Sequence, residues 1–169
     1  MTTRIYLTEV YNEIKNPFDL KRGCTSFDDI DLPVLQEFET WESGLKVLNS
    51  KKSSVRENSG AAGAFFSVHE YWLVKEEFET DEDGDAIGAI DMDAEACPFA
   101  KFDVDNDDMQ TLATFDSYAE ADAYIKAHKE FDNGEHVVIA QGDEHGIQPE
   151  RIYQRIQART LRKHIHSHR

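Results

Sequence analysis

This 169-residue chain has only two cysteines, four prolines and no long apolar run, and each shortage removes a class of protein. Cys24 and Cys97 are too few and too far apart for a disulfide-knit scaffold. Reduced thiols in a cytoplasm are therefore expected, with a single bridge as the alternative. Met1 to Val10 lacks the apolar stretch of a secretion signal, and the longest apolar stretch, around Ala64 to Phe66, falls far short of a spanning helix.

Motifs of chemistry are missing too. Gly60, Ala61, Ala62 and Gly63 lead into an apolar strand pattern rather than a helix, and no Lys-Ser or Lys-Thr pair follows, so they read as a turn and not as a phosphate cradle. There is no Gly-x-Ser-x-Gly elbow, and the neighbours His69–Glu70, Glu135–His136 and Glu144–His145 are what chance supplies at this acidity. Asp81, Asp83 and Asp85, like Asp103, Asp105 and Asp107, alternate as calcium ligands do. An EF-hand, however, needs Gly at its sixth position and Glu at its twelfth. Those places hold Ala86 and Met92 counted from Asp81, and Asp108 and Thr114 counted from Asp103. His164, His166 and His168 sit without Cys or carboxylate neighbours, a pattern for adventitious rather than built metal binding. No catalytic residue, metal or cofactor is expected, and a small enzyme is only a third reading behind two binding functions.

What the chain does have is acid. With 34 Asp and Glu against 18 Lys and Arg, its net charge is −16. Residues 76–108 alone hold 14 carboxylates against Lys101, a local −13, whereas residues 150–169 hold six Lys and Arg against Glu150. Net charge governs steering and partner choice rather than fold. An acidic body repels a nucleic-acid backbone and an anionic membrane surface, whose recognition needs Lys and Arg. It attracts cations and basic protein surfaces.

Periodicity supplies the expected organisation. Residues 38–52 align with residues 115–129 at an offset of 77, from Phe38 and Phe115 to Lys52 and Lys129. Thr40 and Ser117 are N-caps, Glu120 completes a Ser-x-x-Glu box, and apolar positions recur at helical spacing in each, Trp41, Leu45 and Leu48 in the first and Tyr118, Ala121, Tyr124 and Ile125 in the second. The pair is either a β-α-β duplication or two capped amphipathic helices of a common kind. Alternation predicts strands over Arg4–Ile14 and Phe65–Phe78, then a turn at Asp83–Gly84 and a returning strand over Ala86–Met92. Shorter strands are expected over Phe99–Val104 and His136–Ala140. The expected fold class is α+β, a mostly antiparallel sheet with two similar helices on one face. It forms an acidic domain over 1–148, with halves at 1–78 and 79–148. A basic helical tail over 149–169 carries a stripe of Arg151, Arg155, Arg159 and Arg162.

The candidate partner-binding residues are Glu76, Glu77, Glu79, Asp81, Glu82, Asp83, Asp85, Asp91, Asp93, Asp103, Asp105, Asp107 and Asp108, with Phe78, Met92 and Phe99 as apolar anchors and the four arginines as a tail contact. On these acidic runs the chain resembles the small acidic proteins by which phages and mobile elements inhibit host nucleases, the anti-CRISPR and anti-restriction inhibitors, some of them DNA mimics. The resemblance covers about a fifth of the chain and rests on charge and size, and the basic tail departs from an all-acidic mimic. It implies a non-enzymatic, cytoplasmic inhibitor that binds a basic, nucleic-acid-binding surface of a bacterial defence effector such as a nuclease. The alternative is an immunity or antitoxin module that neutralises one basic toxin.

Overall fold

The computed structural model describes residues 1–26, 32–128 and 137–141. In chain order the elements are β1 (Thr2–Ile14), β2 (Gln36–Phe38), α1 (Trp41–Ser50), β3 (Ser54–Gly60), β4 (Gly63–Thr80), β5 (Ala86–Ala96), β6 (Phe102–Asp105), β7 (Thr111–Phe115), α2 (Tyr118–Ala127) and β8 (Val138–Gln141), with a 3-10 turn at Pro17–Asp19. One sheet runs β2-β1-β4-β3, with β5 also paired to β4, and a second runs β7-β6-β8.

This corrects the α+β expectation. Of the described residues strands take 52 % and helices 18 %, so the described fold is mostly β. The two helices do not share one sheet face: α1 covers a core formed by the first sheet, whereas α2 packs on β6, β7 and β8 of the second. The undercount of strand has a physical origin. Each helix is a single ten-residue piece, while polar segments such as Ser54–Gly60, which carry no alternating apolar signal, become strands through pairing, here with β4. The basic stripe from Arg151 to Arg162 and the tail that carries it lie outside the described residues.

The chain forms two compact units that interleave in sequence. The first comprises Met1–Asn12, Arg22–Ser53 and Val68–Phe99. Its β1 alternates as the sequence predicts, and both faces are filled. Ile5 and Leu7 join Leu48 of α1, Leu73 of β4 and Cys97 in one buried cluster, lined further by Phe38, Trp41 and Leu45. Tyr6, Thr8 and Val10 point the other way and are also buried.

The second unit comprises Glu13–Lys21, Ser54–Ser67 and Ala100–Arg169. Ala61 and Ala62 make the link from β3 into β4, with Gly63 at φ +113°, which is the turn expected there. Tyr118 of α2 stands edge-on to both Phe18 and Phe102, at ring distances of 5.2 and 6.3 Å, and anchors the helix over Phe102, Val104 and Ile139.

The two aligned segments adopt the same local form. Each is a strand ending in Phe, a two-residue link and a ten-residue helix. Thr40 accepts from the Ser43 amide and Ser117 from the Glu120 amide, each at 3.2 Å, while Lys51 and His128 close the far ends on Leu48 and Ile125. The Glu120 carboxylate reaches back one residue further than a capping box requires, to the amide of Asp116.

Candidate functional site

From Trp72 onward β4 pairs with β5 in an antiparallel ribbon, Trp72 opposite Ala96 and Glu77 opposite Asp91, and beyond the buried Leu73 and Val74 it leaves the core. The ribbon's tip is closed by its own sequence. Asp81 accepts hydrogen bonds from the amides of Asp83 and Asp85, each at 2.9 Å, and Gly84 sits at φ +85° where a side chain would be strained. A register shift follows, with Glu77 opposite Asp91 but Glu79 opposite Ile87, and Gly88 at φ +75° absorbs the extra residues.

This ribbon carries the acid. Between Glu76 and Glu95 there are ten carboxylates and no Lys or Arg. Two are matched from outside that stretch, Glu77 by Lys75 at 3.2 Å and Glu95 by Arg22 at 2.8 Å. The remaining eight are spread over a ribbon roughly 25 Å long, about one charge per 3 Å, close to the ~3.4 Å spacing of a single DNA strand. Ala86 to Ala94 are all exposed.

The candidate residues therefore divide. Glu79, Glu82, Asp83, Asp85, Asp91 and Asp93 are exposed on the ribbon. Glu76 is taken up by the fold: it accepts the Tyr6 hydroxyl at 2.6 Å. Burial first, then that bond and the charge of Glu76, push the Tyr6 phenol well above its usual value. Asp81 is spent on the turn.

Asp103, Asp105, Asp107 and Asp108 belong to the other unit, on the β6–β7 hairpin. There Asp103 and Asp105 accept the hydroxyls of Thr114 and Thr111, each at 3.0 Å. Asn106 closes that hairpin by the same device as Asp81, accepting from the amides of Asp108 and Gln110. Among the apolar anchors, Met92 is 45 % exposed, Phe78 is half-buried and Phe99, at 5 %, is core. Sequence reading missed Ile87 and Ile90, at 52 % and 48 % exposure, because each looks like an ordinary inward strand position.

The base of the ribbon is fixed from below. Glu70 is fully buried, and its two carboxylate oxygens accept the amides of Gly23 and Thr25, each at 2.7 Å. Gly23 at φ +76° turns both amides toward that one group. Trp72 Nε1 donates to the Thr25 hydroxyl at 2.8 Å, and Arg22 donates to the Ala96 carbonyl at 2.8 Å.

On the opposite face His69 meets Glu9, at 2.9 Å, rather than its sequence neighbour Glu70. Tyr11 stacks flat on the imidazole at 4.3 Å, with Tyr71 tilted against it at 4.7 Å. Burial, then the nearby Glu9 charge, raise the Tyr71 phenol. Adjacent residues of a strand face opposite ways, so His69 and Glu70 do not pair, and Glu135–His136 and Glu144–His145 lie outside the described residues.

Cys24 and Cys97 are not joined in a disulfide. Burial raises the Cys97 thiol, partly offset by its hydrogen bond with Ser53. No described helix is long and apolar enough to cross a membrane. No protein-family model, curated protein or solved structure matches the chain.

Proposed function

We propose that this protein is a non-enzymatic inhibitor whose acidic ribbon occupies a basic, nucleic-acid-binding surface of a partner protein, in the manner of small acidic anti-CRISPR or anti-restriction inhibitors. The observation that carries the reading is the exposed β4–β5 ribbon, ten carboxylates from Glu76 to Glu95 with Ile87, Ile90 and Met92 open to solvent among them. Charge at that density steers a basic partner and raises the rate of encounter, and the exposed apolar side chains supply contact area that charge alone does not. Cys24 and Cys97, not joined in a disulfide, suit a reducing, cytoplasmic setting.

Inhibition of a panel of Cas nucleases and restriction enzymes, read as loss of DNA binding across a salt series, tests the proposal. Competition with DNA that weakens steeply as salt rises is expected. Absence of any inhibition or binding at low salt rules it out. Tight binding to a single basic toxin with no competition from DNA would instead favour the immunity or antitoxin reading.

A further inference from the structure

The outer edge of β5 is the strongest unclaimed surface of the molecule. Among the described residues β5 pairs with β4 alone. In an antiparallel ladder directly opposed residues alternate between exchanging hydrogen bonds with each other and turning their backbone groups away. The Cys97 amide donates to the Tyr71 carbonyl at 2.8 Å, and the register continues from that rung to Trp72 opposite Ala96. Glu95, Asp93 and Asp91 thus bond inward to β4, while Ala96, Ala94 and Met92 direct their N–H and C=O groups to the free edge. Ala96 demonstrates the parity, because its carbonyl is the one met from outside, by Arg22. The next rungs, Ala94 and Met92, are exposed and have no such cover from the described residues.

The side chains of this edge are sorted by face. Asp91, Asp93 and Glu95 project to one side, and Met92 and Ala94 to the other. A strand laid beside β5 would therefore meet carboxylates on one face and apolar groups on the other. Of the devices that blunt an edge, β5 has a bulge at Gly88 and carboxylates on one face, but with eleven residues, no Pro and no Lys its stretch from Asp91 to Glu95 is left open to a cationic strand.

We infer that β5 captures its partner by strand addition: an extended segment alternating Lys or Arg with apolar residues pairs with the edge at Met92 and Ala94 and sets its cations against Asp91, Asp93 and Glu95. The inference rests on the proposed function, and adds to it that backbone pairing, not charge alone, holds the partner. The mode is that of a peptide completing an exposed sheet edge, where main-chain bonds give affinity and alternate side chains give specificity.

The probe is the peptide acetyl-Lys-Val-Lys-Val-Lys-Val-Lys-amide, titrated calorimetrically against the full chain. The control has the same composition with alternating D and L residues, which keeps the charge but loses the two-faced strand. The first peptide is expected to bind at least tenfold more tightly than the second. Ala94→Pro removes an outward N–H without touching the β4 ladder, a substitution edge strands tolerate, and is expected to weaken the first peptide at least tenfold while leaving the Trp72 fluorescence native. Asp91→Asn with Asp93→Asn should weaken both peptides and flatten their salt dependence.

Equal binding of the two peptides overturns strand addition and leaves the acidic-surface reading standing; that comparison uses the unmodified protein and holds even if Ala94→Pro fails to fold. Full peptide affinity in a folded Ala94→Pro protein overturns it equally. Failure of both peptides, together with failure of every nuclease in the panel, sinks both readings.

Discussion

Gly44 of α1 lies so close to Leu73 of β4 that a Cβ built on the glycine would stand 2.6 Å from Leu73 Cδ1. Leu73 is fully buried and has no free direction in which to yield. Gly44→Ala should therefore destabilise the first unit by about 1–2 kcal/mol, even though alanine favours a helix over glycine by ~1 kcal/mol. Urea unfolding monitored through Trp41 and Trp72 checks the sign, and stabilisation would mean that the helix stands further from the sheet.

Glu70 binds two amides at once, so its isostere should not replace it. Glu70→Gln keeps one acceptor and sets an NH2 group against the amide of Gly23 or Thr25. A cost of about 1–3 kcal/mol follows, larger for Glu70→Ala, which leaves both amides without an acceptor. Faster hydrogen exchange at Gly23 and Thr25 is the specific sign.

Thr8 presents the reverse case. It is fully buried, and no described residue bonds its hydroxyl. Thr8→Val, of the same shape and better suited to a strand, should raise stability by about 1 kcal/mol. Thermal unfolding of the variant measures it.

Tyr6 sets an alkaline limit. Its phenol is held neutral in the fold above the usual value of 10.0, so the unfolded chain ionises first. The stability this supplies is complete below pH 10 and falls as the pH climbs above it toward the folded value. Tyr6→Phe should cost about 1 kcal/mol at pH 7 through the lost bond to Glu76, yet fall off less steeply between pH 10 and 11. Urea midpoints across that range decide.

Charge neutralisation should respect the turn. Glu82→Gln, Asp83→Asn and Asp85→Asn together leave the Asp81 carboxylate on its two amides, and should weaken partner binding with little loss of stability. Asp81→Asn should instead loosen the tip. Removal of residues 150–169 in a separate variant shows which charge pole carries binding; retained inhibition without the tail assigns it to the ribbon.

Local chemistry was readable in the sequence wherever the cause was local. Thr40 and Ser117 cap their helices as their positions require, and Asp83–Gly84 turns the chain into β5. What was hidden depends on pairing and burial that the local pattern does not announce. Ser54–Gly60 has too little apolar alternation to announce a strand, and its pairing is supplied by β4. The acid run 76–108 is one block in sequence but two hairpins in space, split by Cys97 and Phe99 turning into the core. Ile87 and Ile90 are apolar strand positions that the sequence would place inward, and both are exposed on the ribbon.

The rung that sets Glu77 opposite Asp91 gives the ribbon a built-in tension. Like charges on facing residues push their strands apart, and Lys75 relieves only one of the two. On the proposed function a cation docking beside Asp91 would remove that push. The ribbon would then zip tighter on its guest than it does alone, and slower amide exchange at Glu77 and Asp91 is the expected gauge of occupancy.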